Sequence, residues 1–159
     1  MLQVTLALAI MNIRPFEQTD YPLVLDIYSK SKLDELIYES QEFKFLPLDQ
    51  DAKRLAELQE SDIYVFDNNG VIGYGAVFGE EIRALFIHPS GRGKGFGQTL
   101  LEYLLTKISG AASLYVAKTN APAKALYEKF GFIVVDEFEA SYNGVPVCAN
   151  KMMRAASNG

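Results

Sequence analysis

The stretch that decides the fold reads Leu85-Phe86-Ile87-His88-Pro89-Ser90-Gly91-Arg92-Gly93-Lys94-Gly95-Phe96-Gly97. An apolar strand runs into a loop with glycine at every second position, 91, 93, 95 and 97. Directly behind it Leu100, Leu101, Leu104, Leu105 and Ile108 recur at the helical period. Glycine lets successive backbone N–H groups converge with no side chain in the way, and such a nest holds anions. The start of the following helix adds N–H groups with no partner inside the helix and the positive end of its dipole. Together these predict a phosphate or pyrophosphate site; a flexible turn that caps the helix is the other reading.

Spacing narrows the ligand. A P-loop needs Ser or Thr after its Gly-Lys, but Gly95 follows Lys94, and position 88 is His rather than Gly. The dinucleotide fingerprint fails because Phe96 stands where a third glycine is required after Gly91 and Gly93. A kinase glycine loop lies between two strands, not before a helix. ATP and NAD are therefore disfavoured as ligands.

Outward from the loop, the 159 residues are 49% hydrophobic and 22% charged, which fits one globular domain. A single cysteine, Cys148, excludes a disulfide framework, and a single histidine, His88, removes the usual zinc clusters, so no metal is expected. Apolar runs fall short of the roughly 20 residues that span a bilayer, which argues against a membrane partner. A net charge of −5 argues against a nucleic-acid partner. These features predict a cytoplasmic domain. Residues 1–10 are apolar and uncharged and lack the pattern of a signal peptide. Either translation begins near Met11 or this segment extends the first strand. The expected division is an N-terminal extension at 1–10, a domain at 11–154 and a tail at 155–159.

Asn12-Ile13-Arg14-Pro15-Phe16 reads as a first strand. Thr19-Asp20 and Pro22 open a helix over about 20–32, with Leu23, Val24, Ile27 and Tyr28 at helical spacing. A second helix follows Asp49. Strands are expected at 63–66, 71–78 and 82–87, the first two joined by the turn Asn68-Asn69-Gly70. A helix from Gly95, a strand at 114–117, a helix at 121–130 ended by Gly131, and strands at 132–138 and 146–153 complete the chain. The order β-α-α-β-β-β-α-β-α-β-β implies an α/β fold with a mixed, mostly antiparallel sheet flanked by helices in a single domain.

The loop residues Arg92, Gly93, Gly95 and Gly97 resemble the Arg/Gln-x-x-Gly-x-Gly/Ala loop of the GNAT superfamily of acyl-CoA-dependent N-acyltransferases. Downstream, Asn120-Ala121-Pro122-Ala123-Lys124-Ala125-Leu126-Tyr127-Glu128-Lys129-Phe130-Gly131-Phe132 is similar to that family's Asn-x-x-Ala-x-x-x-Tyr-x-x-x-Gly-Phe signature. The resemblance covers about Met11 to Arg154 and implies a GNAT-like fold and transfer of an acetyl group from acetyl-CoA to a primary amine. In that reading Arg92, Gly93, Lys94, Gly95 and Gly97 hold the coenzyme A pyrophosphate. The backbone of Leu85 and Ile87 pairs with pantetheine and polarises the thioester carbonyl. Asn120 and Lys129 add cofactor contacts, although Lys129 also suits the end of its helix dipole. Homodimers are common in the family, so the resemblance allows one here.

The chemistry ranks the catalytic groups. An alkyl amine with a pKa near 10.4 is protonated at pH 7, and freeing its lone pair costs roughly 4–5 kcal/mol. Expelling a thiolate with a pKa near 8.5 costs about 2 kcal/mol. A base therefore matters more than an acid. Tyr127 is the acid candidate by resemblance; packing in the core is its alternative role. Its spacing from Asn120 puts both on one helix face. Glu81 is the base candidate, eleven residues before Arg92, where some family members place a catalytic glutamate. A charged hairpin turn, or a water chain in place of a carboxylate, is the alternative. Strand alternation puts Glu81, Arg83, Leu85 and Ile87 on one face and Ile82, Ala84 and Phe86 on the other.

No Cys or Ser sits in an activated-nucleophile pattern, so the amine is expected to attack directly in a ternary complex. His88 reads as structural and Cys148 as a buried, inert thiol. Acceptor choice is expected from residues 29–48 and 139–147, where Asp34, Glu35, Glu39 and Glu42 either draw in a cationic amine, small or peptide-borne, or form a solvated face. A catalytically silent acyl-CoA-binding or regulatory module is the competing function.

Overall fold

A computed structural model describes residues 12–156. The expected extension at 1–10 and the last residues of the tail lie outside them. Seven strands and four α-helices are seen among the described residues. They are β1 (Ile13–Pro15), α1 (Tyr21–Ser31), α2 (Ala52–Gln59), β2 (Asp62–Asp67), β3 (Val71–Phe78), β4 (Glu81–Ile87), α3 (Phe96–Leu105), β5 (Ala112–Ala117), α4 (Ala121–Lys129), β6 (Ile133–Tyr142) and β7 (Val145–Arg154). The element order matches the sequence reading, and boundaries move by a few residues. Short 3-10 turns at 18–20, 32–36, 48–50 and 89–91 fill the connections.

The strands form one sheet in the order β1-β2-β3-β4-β5-β7-β6. Each neighbouring pair is antiparallel except β4 and β5, which are parallel. On one face Leu100, Leu101 and Leu104 of α3 pack with Ile82, Leu114, Phe132 and Met152, and α4 joins them through Leu126 and Tyr127. On the other face Val24, Ile27 and Tyr28 of α1 and Leu58 of α2 pack on Val65, Tyr74, Ala76 and Phe86. Fully burying one such side chain contributes about 1.5–3 kcal/mol. A third cluster, Leu36 with Tyr142 and Val147, seats the 32–36 segment against the β6–β7 hairpin.

Two departures from regular pairing shape the molecule. Ala76 opposes Ala84 while Val77 opposes Ile82, so Arg83 is an extra residue in β4. A bulge of this kind breaks the two-residue period. The expected alternation is corrected accordingly: Ile82 shares a face with Leu85 and Ile87 under α3, and Ala84 and Phe86 lie under α1. The second departure is that β4 and β5 share one pairing, Glu81 with Ser113. Beyond it the strands separate. The His88 N–H donates to the Ile72 carbonyl at 2.7 Å, so alternate peptide groups, those of Leu85 and Ile87, turn from β3 into the gap.

Candidate active site

The gap between β4 and β5 widens into a cleft of about 860 Å³. Its walls are Leu85 to Ile87 on one side and Tyr115 to Ala117 on the other; the glycine loop lies at one end and α4 beside it. The loop takes its shape from Gly93 (φ +76°) and Gly95 (φ +78°). An L side chain at either would cost about 1–2 kcal/mol in the left-handed region. Gly95 is the N-cap of α3, so the first N–H groups of that helix open toward the loop. Just before it, the ring of His88 caps the 89–91 turn, with Nδ1 accepting from the Ser90 N–H at 3.1 Å. Its Nε2 lies 3.8 Å from Asp26. This is the structural role expected for His88.

Gly93, Gly95, Gly97, Arg92, Leu85, Ile87, Asn120 and Tyr127 all line the cleft. Arg92 reaches across the mouth, where its Nη1 is 2.6 Å from Asp34 Oδ2 and both side chains are half exposed. The Ile87 carbonyl accepts from the Ser31 hydroxyl at 3.2 Å. Asn120 caps α4, its Oδ1 accepting from the Ala123 N–H at 3.4 Å. Its side-chain N–H groups have no partner among the described residues. Tyr127 is half buried, with its ring edge-on to Phe132 at 5.9 Å. Burial above all, then the charge of Glu35, pushes its phenol well above the usual value, so it stays protonated at neutral pH.

Three of the expected residues lie outside the cleft lining. Glu81 accepts from Arg83 Nε at 3.2 Å, at the closed end of the β4–β5 gap. The same guanidinium also binds Glu60 and the Glu57 carbonyl. Lys129 donates to Gln98 at 3.0 Å and ties α4 to α3. Lys94 is exposed at the tip of the loop. Cys148 is exposed, which corrects the expectation of a buried thiol. In β7 its neighbours Val147 and Ala149 turn inward, so period-two alternation turns Cys148 out.

The acidic stretch after α1 is part-exposed and mostly paired, with Glu42 left on the solvated side. Asp34 holds Arg92, and Glu35 lies 2.8 Å from Lys32. Glu39 accepts from Thr119, and Gln41 donates to the Pro146 carbonyl at 2.7 Å. These bonds strap residues 32–41 over the cleft. Among the described residues no group of three His, Cys, Asp or Glu side chains is placed to hold a metal ion, and no helix is long and apolar enough to cross a membrane.

The family model for the Acetyltransferase (GNAT) domain matches residues 59–134, the span from the end of α2 through the glycine loop and α4. Over that span, a little under half of the chain, the sequence is similar to the GNAT superfamily. Among similar curated proteins, the peptidyl-lysine N-acetyltransferase YjaB of Salmonella typhimurium is 36% identical over 84 residues. That alignment covers 53% of this chain and 57% of the relative, so the chain spans little more than half the length of this curated relative. A GCN5-related N-acetyltransferase structure from Rhodopseudomonas palustris superposes with a TM-score of 0.73 at 18% identity, over 90% of this chain and 94% of that one. The yncA structure from Salmonella typhimurium, solved with its cofactor acetyl-CoA, gives 0.67 at 19% identity, over 92% and 94%. These likenesses establish a GNAT fold over nearly the whole chain. The mixed sheet and single domain read from the sequence are those of the GNAT structures.

Sequence reasoning named Glu35 only as one of four carboxylates and missed how the cleft is bounded. Lys32 and Glu35 sit where it deepens behind the β4–β5 separation, together with Arg54 of α2. Their only local signal is the i, i+3 spacing of Lys32 and Glu35.

Proposed function

We propose that this protein is an N-acetyltransferase that moves the acetyl group of acetyl-CoA to a primary amine by direct attack in a ternary complex. The observation that carries the reading is the β4–β5 separation, which turns the peptide groups of Leu85 and Ile87 into a cleft running from the glycine loop to Tyr127. The residues fit the co-substrate. The N–H groups around Gly93, Gly95 and Gly97, with Arg92, suit a pyrophosphate. Turned-in peptide groups suit the amides of pantetheine, and the free N–H groups of Asn120 suit its carbonyls. Lys94 and Lys129, outside the lining, have no contact in this scheme.

Acetyl-CoA supplies the activated thioester; the chain's residues orient it and handle protons. A peptide N–H at the cleft edge donates to the thioester oxygen and stabilises the charge that develops there. Tyr127 gives its proton to the sulfur as the carbon–sulfur bond breaks and is reprotonated from the amine nitrogen. The YjaB relative is named for peptidyl-lysine, so a lysine side chain of a peptide or protein heads the acceptor classes, with small alkyl amines behind it. The reading goes with a cytoplasmic setting.

A thiol-release assay with acetyl-CoA and a panel of alkyl amines, lysyl peptides and amino acids tests the proposal. Release that depends on the amine, with an acetylated product of matching mass, supports it. Tight binding of acetyl-CoA with no release across the panel supports the silent binding module instead.

A further inference from the structure

A second, narrower cavity of about 160 Å³ opens off the cleft beyond the point where β4 and β5 separate. An acceptor amine must meet the thioester where the two cavities join. Leu85 and Tyr127 line both, and Glu35 is the one carboxylate among the described residues that does so. Lys32 holds Glu35 Oε2 at 2.8 Å, which leaves Oε1 without a partner among the described residues. The narrow cavity also expects a polar ligand. Tyr28, 3% exposed, is on its wall with a hydroxyl that has no hydrogen-bond partner among the described residues. Buried hydroxyls are otherwise almost always paired.

The cations on that wall are all engaged. Lys32 is on Glu35, Arg54 on Asp51 at 3.0 Å, and Arg83 on Glu60 and Glu81. None is left to receive a carboxylate of the acceptor. The aromatic rings of Tyr28, Tyr74 and Phe86 supply an apolar wall for a hydrocarbon stem. Facing Glu35 are Lys32 on its own segment, Tyr28 from α1, Arg54 from α2, Tyr74 from β3, Tyr127 from α4 and Tyr142 from β6.

Resting on the acetyl-transfer reading above, we propose that Glu35 receives the acceptor's ammonium group and takes its proton, and that the narrow cavity selects alkyl amines with no acid group beside the nitrogen. Lys32 assists, because a second cation there disfavours the charged form of the amine. One amine proton passes to Glu35, and its part-exposed carboxylate hands that proton to solvent. The freed lone pair forms the carbon–nitrogen bond. As the carbon–sulfur bond breaks, sulfur takes the Tyr127 proton and the nitrogen's second proton restores the phenol. The sum is ammonium plus thioester giving amide, thiol and one released proton. Glu81 has no part in this step because Arg83 holds it away from the cleft.

The test uses the full chain, acetyl-CoA, and two probe amines that differ only by an α-carboxylate: n-butylamine and norvaline. Wild-type kcat/KM is expected to favour n-butylamine by about tenfold or more. Glu35→Gln is expected to lower kcat/KM for n-butylamine by about 10²–10⁴-fold at pH 7, with an unchanged Kd for acetyl-CoA. That deficit should shrink toward pH 10, where the amine deprotonates unaided. Glu35→Asp should recover part of the rate. Equal use of norvaline, or a Glu35→Gln enzyme with wild-type rate and pH profile, overturns the inference while leaving acetyl transfer intact. A wild type that binds acetyl-CoA and acetylates no amine overturns both. The amine comparison needs no variant, so it stands even if Glu35→Gln fails to fold.

Discussion

Replacing Tyr127 by Phe removes one oxygen from the place where the cleft meets the narrow cavity. The ring's edge-on contact with Phe132 at 5.9 Å survives the change. The hydroxyl has no hydrogen-bonded partner among the described residues, so folding stability should shift by less than about 1 kcal/mol. The kinetic effect is larger and has a definite pH signature. A thiol with a pKa near 8.5 leaves as thiolate at pH 7 at a cost of about 2 kcal/mol, roughly 30-fold in rate. Burial keeps the Tyr127 phenol protonated through this range, so the wild type can supply the proton. Tyr127→Phe should therefore lower kcat by about 30-fold at pH 7, and the deficit should close as pH rises past about 8.5. Thiol release at saturating acetyl-CoA and amine, measured from pH 6 to 9, reads this directly; calorimetry should give a near wild-type Kd for acetyl-CoA. Wild-type turnover at pH 7 would refute the reasoning. So would a deficit that is constant with pH and matched by weaker cofactor binding, which is the signature of a packing role.

Other changes probe the loop and the scaffold. Asp34→Asn frees Arg92; an exposed pair contributes about 0.2–1 kcal/mol, so acetyl-CoA should bind up to about fivefold tighter at low salt, with less gain at high salt, by calorimetry. A weaker Kd would mean that Asp34 helps to hold the cofactor. Leu104→Ala, at a fully buried position beside Gly75, should cost about 2–5 kcal/mol in denaturant unfolding; a loss under about 1 kcal/mol would contradict the packing described. Asp20 is buried and held by both Arg14 nitrogens at 2.8 and 2.9 Å, which lowers its pKa. Its contribution is therefore complete above the ordinary value near 3.9 and disappears as pH falls through the lowered one. Asp20→Asn should cost about 1–3 kcal/mol at pH 7 and flatten the acid side of the Tm–pH curve; an unchanged acid limb would refute this.

The element order was legible because it rests on local signals. Leu100, Leu101 and Leu104 keep the helical period, Gly131 closes α4, and the turns at Asn69-Gly70 and Asn143-Gly144 adopt the positive φ their residues suggest. The shape of the glycine loop was legible for the same reason, since Gly93 and Gly95 adopt the positive φ that glycine permits. What sequence does not carry is pairing at a distance. The extra residue at Arg83 exists only in relation to Ala76 and Val77, and it moved Ile82 to the opposite face from the one period two implies. The Arg92–Asp34 and Lys129–Gln98 contacts join segments far apart in the chain, and no local pattern marks them. Glu81 was attractive by its offset from Arg92, yet three dimensions give it to Arg83. Glu35 was only one of four similar carboxylates until the two cavities were seen to join beside it.

The central claim is that the glycine loop and the β4–β5 cleft hold acetyl-CoA. A calorimetric titration of the full chain with acetyl-CoA, with ATP and NAD as controls, tests it most directly. Selective micromolar binding of acetyl-CoA is the predicted result. Absence of acetyl-CoA binding, or equal binding of ATP or NAD, would contradict it and would remove the co-substrate, the mechanism and the roles of Tyr127 and Glu35 together.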